Sequence, residues 1–339
     1  MSKKNSSVNL KNTLKKFKDL FNIFEHFEIN LNKLKTKNFL VAVSGGPDSL
    51  ALTALTKLYS LENRKKFYYV LINHNIRANS KLEAKKVKNL LKKFRIKLNI
   101  INNTKKITKN VQGEARKIRY EKLINFCKKK NINTIITAHN LEDQVETFFI
   151  RLSRGSGLTG LSSMKTLSKL EKGIYLYRPF LETKKKYLIK ISKTIFKKYF
   201  KDPSNLNKKY LRSKIRNLKD PLKKSGIEYD QIIRSIKNLA SSRITIDEYV
   251  KKTIKQIVTK TRREVLIDLN NFKKINNDIK ISVINEAIRK IKKNYYNPRS
   301  KKVINLIRNV ENKKFTKATL GGCVFSKKKD FLSIKIEKT

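Results

Sequence analysis

Acid is scarce in this sequence beside its bases. Its 339 residues carry 82 lysines and arginines against 26 aspartates and glutamates, a formal charge of +56 at pH 7. That balance is far from that of an ordinary small-molecule enzyme and points to a polyanionic partner, because such a field speeds the encounter with nucleic acid. Basic residues run along the whole chain, so no short tail accounts for them; a lysine-rich compositional bias contributes. Cysteine is nearly absent too. Cys127 and Cys323 lie far apart and in no CxxC pair, which argues against a disulfide framework or a zinc site and fits a reducing compartment. Long apolar runs are missing: nothing approaches the ~18–20 residues that cross a bilayer. The N-terminal stretch MSKKNSSVNLKNTLKKFKDLFNIFEHF lacks the uncharged core of a signal peptide, so a cytoplasmic protein with no membrane partner is expected.

What is present is alternation. Leu14, Phe17, Leu20, Phe21 and Phe24 recur at helical spacing and predict an amphipathic helix within residues 1–34. Strand-like runs follow at 38–43, 67–73, 96–101, 133–139 and 173–180. Helical patterns separate them, at 48–59, 81–94, 114–130 and 141–154, with another at 184–200. Strands alternating with helices imply an α/β domain, here 35–216, with a parallel sheet covered on both faces and ligands beyond the C-terminal strand ends. The segment KDPSNLNKKYLRSKIR (201–216) breaks the rhythm and reads as a junction. Residues 217–339 form a basic, mostly helical region that closes with a small hairpin over 317–337.

Two stretches carry chemistry. VAVSGGPDSL (41–50) sets Ser44, Gly45, Gly46, Pro47, Asp48 and Ser49 between a strand and a helix. Successive backbone N–H groups there can form a concave anion site at the positive end of the helix, and the glycines let the main chain come close. Asp48 could hold a magnesium ion. No GxxxxGK[ST] occurs, so this is not a Walker A loop. GSGLTG (155–160) spells the dinucleotide fingerprint, but it follows a helix rather than a strand and reads as a flexible loop. The second stretch is AHNLEDQVET (138–147), an acidic island in a basic chain. Asp143 and Glu146 share a helix face beside His139. Glu142 is accounted for by the helix dipole; Glu146 is less so.

SGGPDS resembles the pyrophosphate-binding loop of the ATP-pyrophosphatase superfamily, which cleaves ATP between its α and β phosphates. With it come NHNIRANS (73–80), NVQGEARKIRY (110–120), AHNLEDQVET, RLSRGSGLTGL (151–161), RPF (178–180) and DPSN (202–205). In that order they are similar to the bacterial tRNA(Ile)-lysidine synthetases. The C-terminal TLGGC (319–323) adds weaker support. Glu142 departs from the family pattern, which has aspartate there. The resemblance implies an adenine nucleotide alpha hydrolase-like domain. It implies ATP and Mg2+, and transfer of L-lysine to C2 of the wobble cytidine of the CAU-anticodon isoleucine tRNA through an adenylated cytidine. It also implies roles. The 44–49 loop and His139 would bind nucleotide. Asp143 and Glu146 would hold lysine, and Arg116 or Arg119 would neutralise charge at the activated base.

The basic C-terminal region would bind tRNA, with Arg212, Arg216, Tyr295 and Tyr296 as candidates, and a homodimer is compatible with the sequence. A tRNA thiolase of the same superfamily is the rival enzyme; a non-catalytic RNA-binding protein is the rival from another class.

Overall fold

In a computed structural model the chain is described over residues 11–105, 107–108, 110–200, 211–292, 298, 300–312 and 314–337. Its contacts divide it into two compact units, Met1–Lys237 and Asn238–Thr339. Residues 217–237, which the sequence groups with the C-terminal region, therefore pack with the first unit.

The first unit is built on a six-stranded sheet in the order β3-β2-β1-β4-β6-β5. Its strands are β1 (Asn38–Val43), β2 (Lys66–Asn73), β3 (Leu98–Asn102), β4 (Thr134–Ile136), β5 (Leu167–Glu171) and β6 (Ile174–Tyr177). All neighbours are parallel except β5 and β6. The uninterrupted apolar run of NFLVAV puts apolar side chains on both faces of the strand, which explains why the sheet is covered twice. Phe39, Val41 and Val43 enter one core, whereas Leu40 enters the other with Leu123, Cys127 and Ile135. Phe39, Leu40 and Val41 have no solvent exposure, each worth roughly 1.5–3 kcal/mol of transfer free energy.

The N-terminal helix, α1 (Lys18–Asn32), joins the first of these cores through Leu20, Phe24, Phe27 and Leu31. Helical residues 11–15 precede it and bury Leu14. Phe17 departs from the expected stripe: it is the N-cap residue of α1 and stands 38% exposed. Beside α1 in that core lie α2 (Pro47–Glu62), α3 (Ser80–Lys93) and α7 (Lys185–Phe196), which follows the one-turn α6 (Leu158–Leu161) in the chain. The opposite face is covered by α4 (Val111–Lys129). β5 was not expected, since LSKLE alternates weakly and carries two charges. It turns back at Gly173, whose φ is +78°, and pairs antiparallel with β6 at the sheet edge.

The chain order reverses at β1, which has β2 on one side and β4 on the other. Ligands in such sheets bind outside the C-terminal ends of the strands at this point. The loops that leave β1 and β4 there are the two chemical stretches singled out above.

The second unit holds a five-stranded antiparallel sheet, β7-β8-β11-β10-β9. The closing hairpin is present as β10 (Cys323–Lys328) and β11 (Phe331–Ile336), with β9 (Lys317–Leu320) beside it. β7 (Val258–Lys260) and β8 (Val265–Asp268) extend the sheet; at three and four residues they are too short to show a periodicity. Helices 277–291 and 300–311 bury Val283, Ile284, Val303 and Ile307 with Phe325 and Leu332. The candidate stacking residues Tyr295 and Tyr296 lie outside the described residues. Among the described residues no helix is long and apolar enough to cross a membrane.

Candidate active site

The loop after β1 is tied from within. Ser49 Oγ donates to the Gly46 carbonyl at 3.0 Å and accepts from the Ser44 N–H and the Ser44 hydroxyl, each at 3.1 Å. A hydroxyl has one proton and two lone pairs, so Ser49 is fully engaged in shaping the loop. From outside, the Phe200 N–H donates to the Gly45 carbonyl at 3.0 Å. Gly45 has φ +83°, and a Cβ there would sit 2.6 Å from Val87 Cγ2. Both its backbone and its space therefore demand glycine. Gly46 is the N-cap of α2 and Pro47 follows it, so φ is preset where no N–H is needed. The first-turn N–H groups of α2 have no intrahelical acceptor and lie at the positive end of its dipole. The result is a rigid cradle for an anion.

Asp48 lies in the first turn of α2. Its Oδ1 is buried and has no hydrogen-bond partner among the described residues. Burial pushes its pKa up to about 6; Asp143 and Glu142 push in the same direction, against Lys185 and the Asn140 side chain. Lys185 Nζ is 3.9 Å from Asp48 Oδ2, too far for a direct hydrogen bond. A buried carboxylate oxygen without a donor has the character of a cation ligand. Magnesium, which takes one or two carboxylates plus substrate phosphates, fits that oxygen. No cluster of three or more His, Cys, Asp or Glu suited to a metal occurs among the described residues.

The loop after β4 brings the acidic island to the same place. Asn140 caps α5 (Leu141–Leu152) in a reciprocal box: Asp143 N–H donates to Asn140 Oδ1 at 2.9 Å, and Asn140 N–H donates to Asp143 Oδ2 at 3.1 Å. Asp143 Oδ1 keeps only a 3.8 Å contact with Arg212. Glu146, one turn on and 3% exposed, is far more engaged. It accepts from Arg212 Nε at 2.9 Å, Arg216 Nε at 2.7 Å and Arg216 Nη2 at 3.1 Å. Arg212 and Arg216 come from α8 (Leu211–Arg216). The two arginines picked from the sequence as RNA contacts thus grip the second carboxylate of the acidic island. The hydrogen bond to Glu146 raises the pKa of Arg216.

His139 is held neutral. Burial drives its pKa down to about 3, helped by Arg178, Arg116, Arg212 and Arg119, and its Nδ1 lies 2.8 Å from Thr137 Oγ1. Arg116 stacks over Tyr120 with its guanidinium carbon 5.0 Å from the ring centre. The sequence's candidates from 44–49, 116–119, 139–146 and 212–216 therefore converge electrostatically on one cluster in the first unit.

Comparison with known proteins fits this geometry. Residues 14–221 match the PP-loop domain family. The tRNA(Ile)-lysidine synthase of Wolbachia sp. subsp. Brugia malayi is 32% identical, over 90% of this chain and 70% of its own. That of Rickettsia typhi is 30% identical, over 90% of this chain and 72% of its own. The chain belongs to the tRNA(Ile)-lysidine synthase family. Among solved structures, the U34-tRNA thiolase NcsA from Methanococcus maripaludis, solved with its [4Fe-4S] cluster, has a TM-score of 0.52. It is 18% identical, over 70% of this chain and 78% of that one, and shows the shared fold.

Within this lysidine synthase family member, Glu142 has a defined place. Its Oε2 accepts from the Lys185 N–H at 2.8 Å. Lys185 opens α7, whose N-cap Lys184 supplies no side-chain cap. A glutamate reaches one methylene further than an aspartate, so Glu142 caps a neighbouring helix. Lys185 and Arg178 escaped the sequence reading of roles. Lys185 sits in a KKK run where nothing singles one lysine out. Arg178 is 8% exposed and donates to the Lys165 carbonyl at 2.8 Å and Ser168 Oγ at 3.0 Å. Its signal was there: an arginine within an apolar strand pattern, YLYRPF, in a lysine-rich chain.

Proposed function

We propose that this chain activates the C2 oxygen of the wobble cytidine of a CAU-anticodon isoleucine tRNA with ATP and then replaces AMP by an amine of L-lysine. The observation that carries the reading is the meeting of an anion cradle, Asp48 with its unpartnered oxygen, and the Asp143–Arg212 edge in one cluster. In the first step the C2 oxygen attacks the α phosphorus and pyrophosphate leaves. The 44–49 backbone holds the leaving phosphates, where fixed donors at a site of developing charge are most effective. Mg2+ on Asp48 would neutralise phosphate charge when bound. In the second step the amine attacks C2 and AMP departs with the former C2 oxygen. The amine gives up one proton before attack and a second after.

Lysine is a zwitterion with a cationic side chain, and an acid beside a cation matches it. Asp143 is the freer acid: one oxygen takes the capping N–H and the other only the 3.8 Å contact with Arg212. Glu146 already accepts three hydrogen bonds, close to the four an ionised carboxylate can take. Its contribution is to hold Arg212 and Arg216 at the edge of the site. With a pKa near 10.4, an ammonium costs about 4–5 kcal/mol to neutralise at pH 7. Burial, helped by the guanidinium field, holds His139 at about 3, and both effects lower the pKa of an amine placed there too. At that value His139 is too weak a base to take the amine proton; it serves as a neutral hydrogen-bonding ring.

The test is incorporation of labelled lysine into CAU-anticodon tRNA with ATP, following AMP release. One AMP per lysine supports the reading, and sulfur transfer without lysine incorporation refutes it. The cysteines already weigh against thiolation by a protein thiol. Cys127 is buried in α4 with its pKa pushed up to about 12 by burial, and Cys323 is buried in the second unit.

A further inference from the structure

On the flank of the nucleotide loop lies a second concavity that the chemistry above does not use. Its volume is about 710 Å³, and it opens between α3 and the start of β3, the outermost strand of the sheet. One rim carries Lys85, Lys88 and Lys92 and the other Arg95 and Lys97, all exposed, while Ile96 and Leu98 floor it. No carboxylate lines it among the described residues. The three lysines are spaced i, i+3 and i+7, so they share one face of α3 and span about 10 Å along it. Val87 on the inner face of the same helix is the residue that packs against Gly45.

Simple protein-folding reasons leave part of this unexplained. Lys92 complements the negative end of α3, and Lys97 deters strand pairing at the sheet edge. Arg95, just past the Phe94 C-cap with its N–H on the Lys92 carbonyl, shares the first reason; neither applies to Lys85 or Lys88. Cations on the helix side and on the strand side of an apolar floor suit a rod-like polyanion that can be contacted from both sides. A flat anionic membrane would meet only one rim.

We propose that this groove holds the sugar–phosphate backbone of the tRNA substrate outside the anticodon loop, contributing affinity without reading sequence. The identity of the RNA rests on the lysidine synthase reading; the groove's preference for an RNA backbone does not.

The experiment compares the full-length protein with the triple variant K85Q/K88Q/K92Q and a control triple of equal charge, K129Q/K130Q/K172Q. All six positions are exposed, and unchanged urea midpoints verify folding. Binding of CAU-anticodon tRNA is measured across a salt series. Each lost phosphate contact lowers the slope of log affinity against log salt by about 1. The groove triple is expected to lose about 3 from that slope and at least about tenfold in affinity near 0.1 M salt, where charges beyond ~10 Å are screened. The control should stay within about one unit of slope. In lysine incorporation the groove triple should raise KM for tRNA and leave kcat unchanged. Equal losses in the two triples overturn the proposal and leave only a diffuse field. So does an unchanged tRNA slope with lost binding to anionic phospholipid vesicles, which would make the groove a membrane contact. If the unaltered protein incorporates no lysine while the groove triple still loses tRNA affinity, the catalytic reading falls and the groove assignment stands.

Discussion

Asp48 in the first unit and Glu264 in the second are both acids in a cationic protein, and they are used in opposite ways. Glu264 accepts from Lys328 at 2.9 and 3.0 Å, takes a hydrogen bond from Ser333 and lies 3.8 Å from Lys335. The Ser333 and Lys328 hydrogen bonds hold its pKa below the usual carboxylate range. Among the described residues Asp48 has one oxygen without a hydrogen-bond partner and its nearest cation 3.9 Å away, and burial lifts its pKa to about 6. The same contrast appears between Lys280 and Lys185. Lys280 is buried and closed by Glu311 at 2.7 Å; Lys185 faces Asp48 without closing on it. Pairing that is complete belongs to the scaffold. Pairing left open at the end of a parallel sheet is where a ligand completes it.

The contrast can be broken in order of effect. Asp48→Asn removes the charge and keeps the shape, so lysine incorporation is expected to fall about 10²–10³-fold with tRNA affinity within about twofold. Normal turnover would place Asp48 with Glu264 among scaffold acids. Glu146→Gln tests a carboxylate that is closed yet sits in the site. It leaves Arg212 and Arg216 facing a neutral amide, and should cost about 2–3 kcal/mol in urea unfolding. That is less than a fully buried pair because both arginines are about a third exposed.

The next effect is on pH. The ionised form of Asp48 is the one that binds a cation, so kcat/KM should fall about tenfold per unit as pH drops below about 6. That limb should vanish in Asp48→Asn. Stability moves the other way for this group. Its folded pKa lies above the unfolded value of 3.8, so the folded state takes up the extra proton, and this contribution weakens as pH rises from about 4 to about 6. His139, held at about 3, opposes it: its contribution is full above about 6.5 and is lost as pH falls towards 3. Unfolding of His139→Gln across that range should therefore lose its acid-destabilised component. Smallest of all, Glu264→Gln should cost about 1 kcal/mol and leave turnover unchanged.

Much of the first unit is legible in the amino-acid pattern alone. Continuous apolar runs such as NFLVAV separated by amphipathic helices point to a parallel sheet covered on both faces, and a glycine pair between strand and helix marks the loop as a candidate ligand site. The acidic island stands out because acids are rare here. What the residues alone leave open is partnership. Arg212 and Arg216 sit 66 and 70 positions from Glu146, and no local pattern says that two basic residues in a basic chain meet one buried acid. Glu142 looks like a helix-dipole acid or a displaced site aspartate; its use as a cap for α7 depends on a long-range approach. β5, β7 and β8 escape notice because strands of three to five residues carry too little alternation.

The most direct test is where the nucleotide sits. Crystals grown with a non-hydrolysable ATP analogue and lysine are expected to show the phosphates on the backbone of residues 44–49. A cation should lie on Asp48 Oδ1 and the lysine against Asp143. Nucleotide bound anywhere else, with the 44–49 loop empty, would contradict the account.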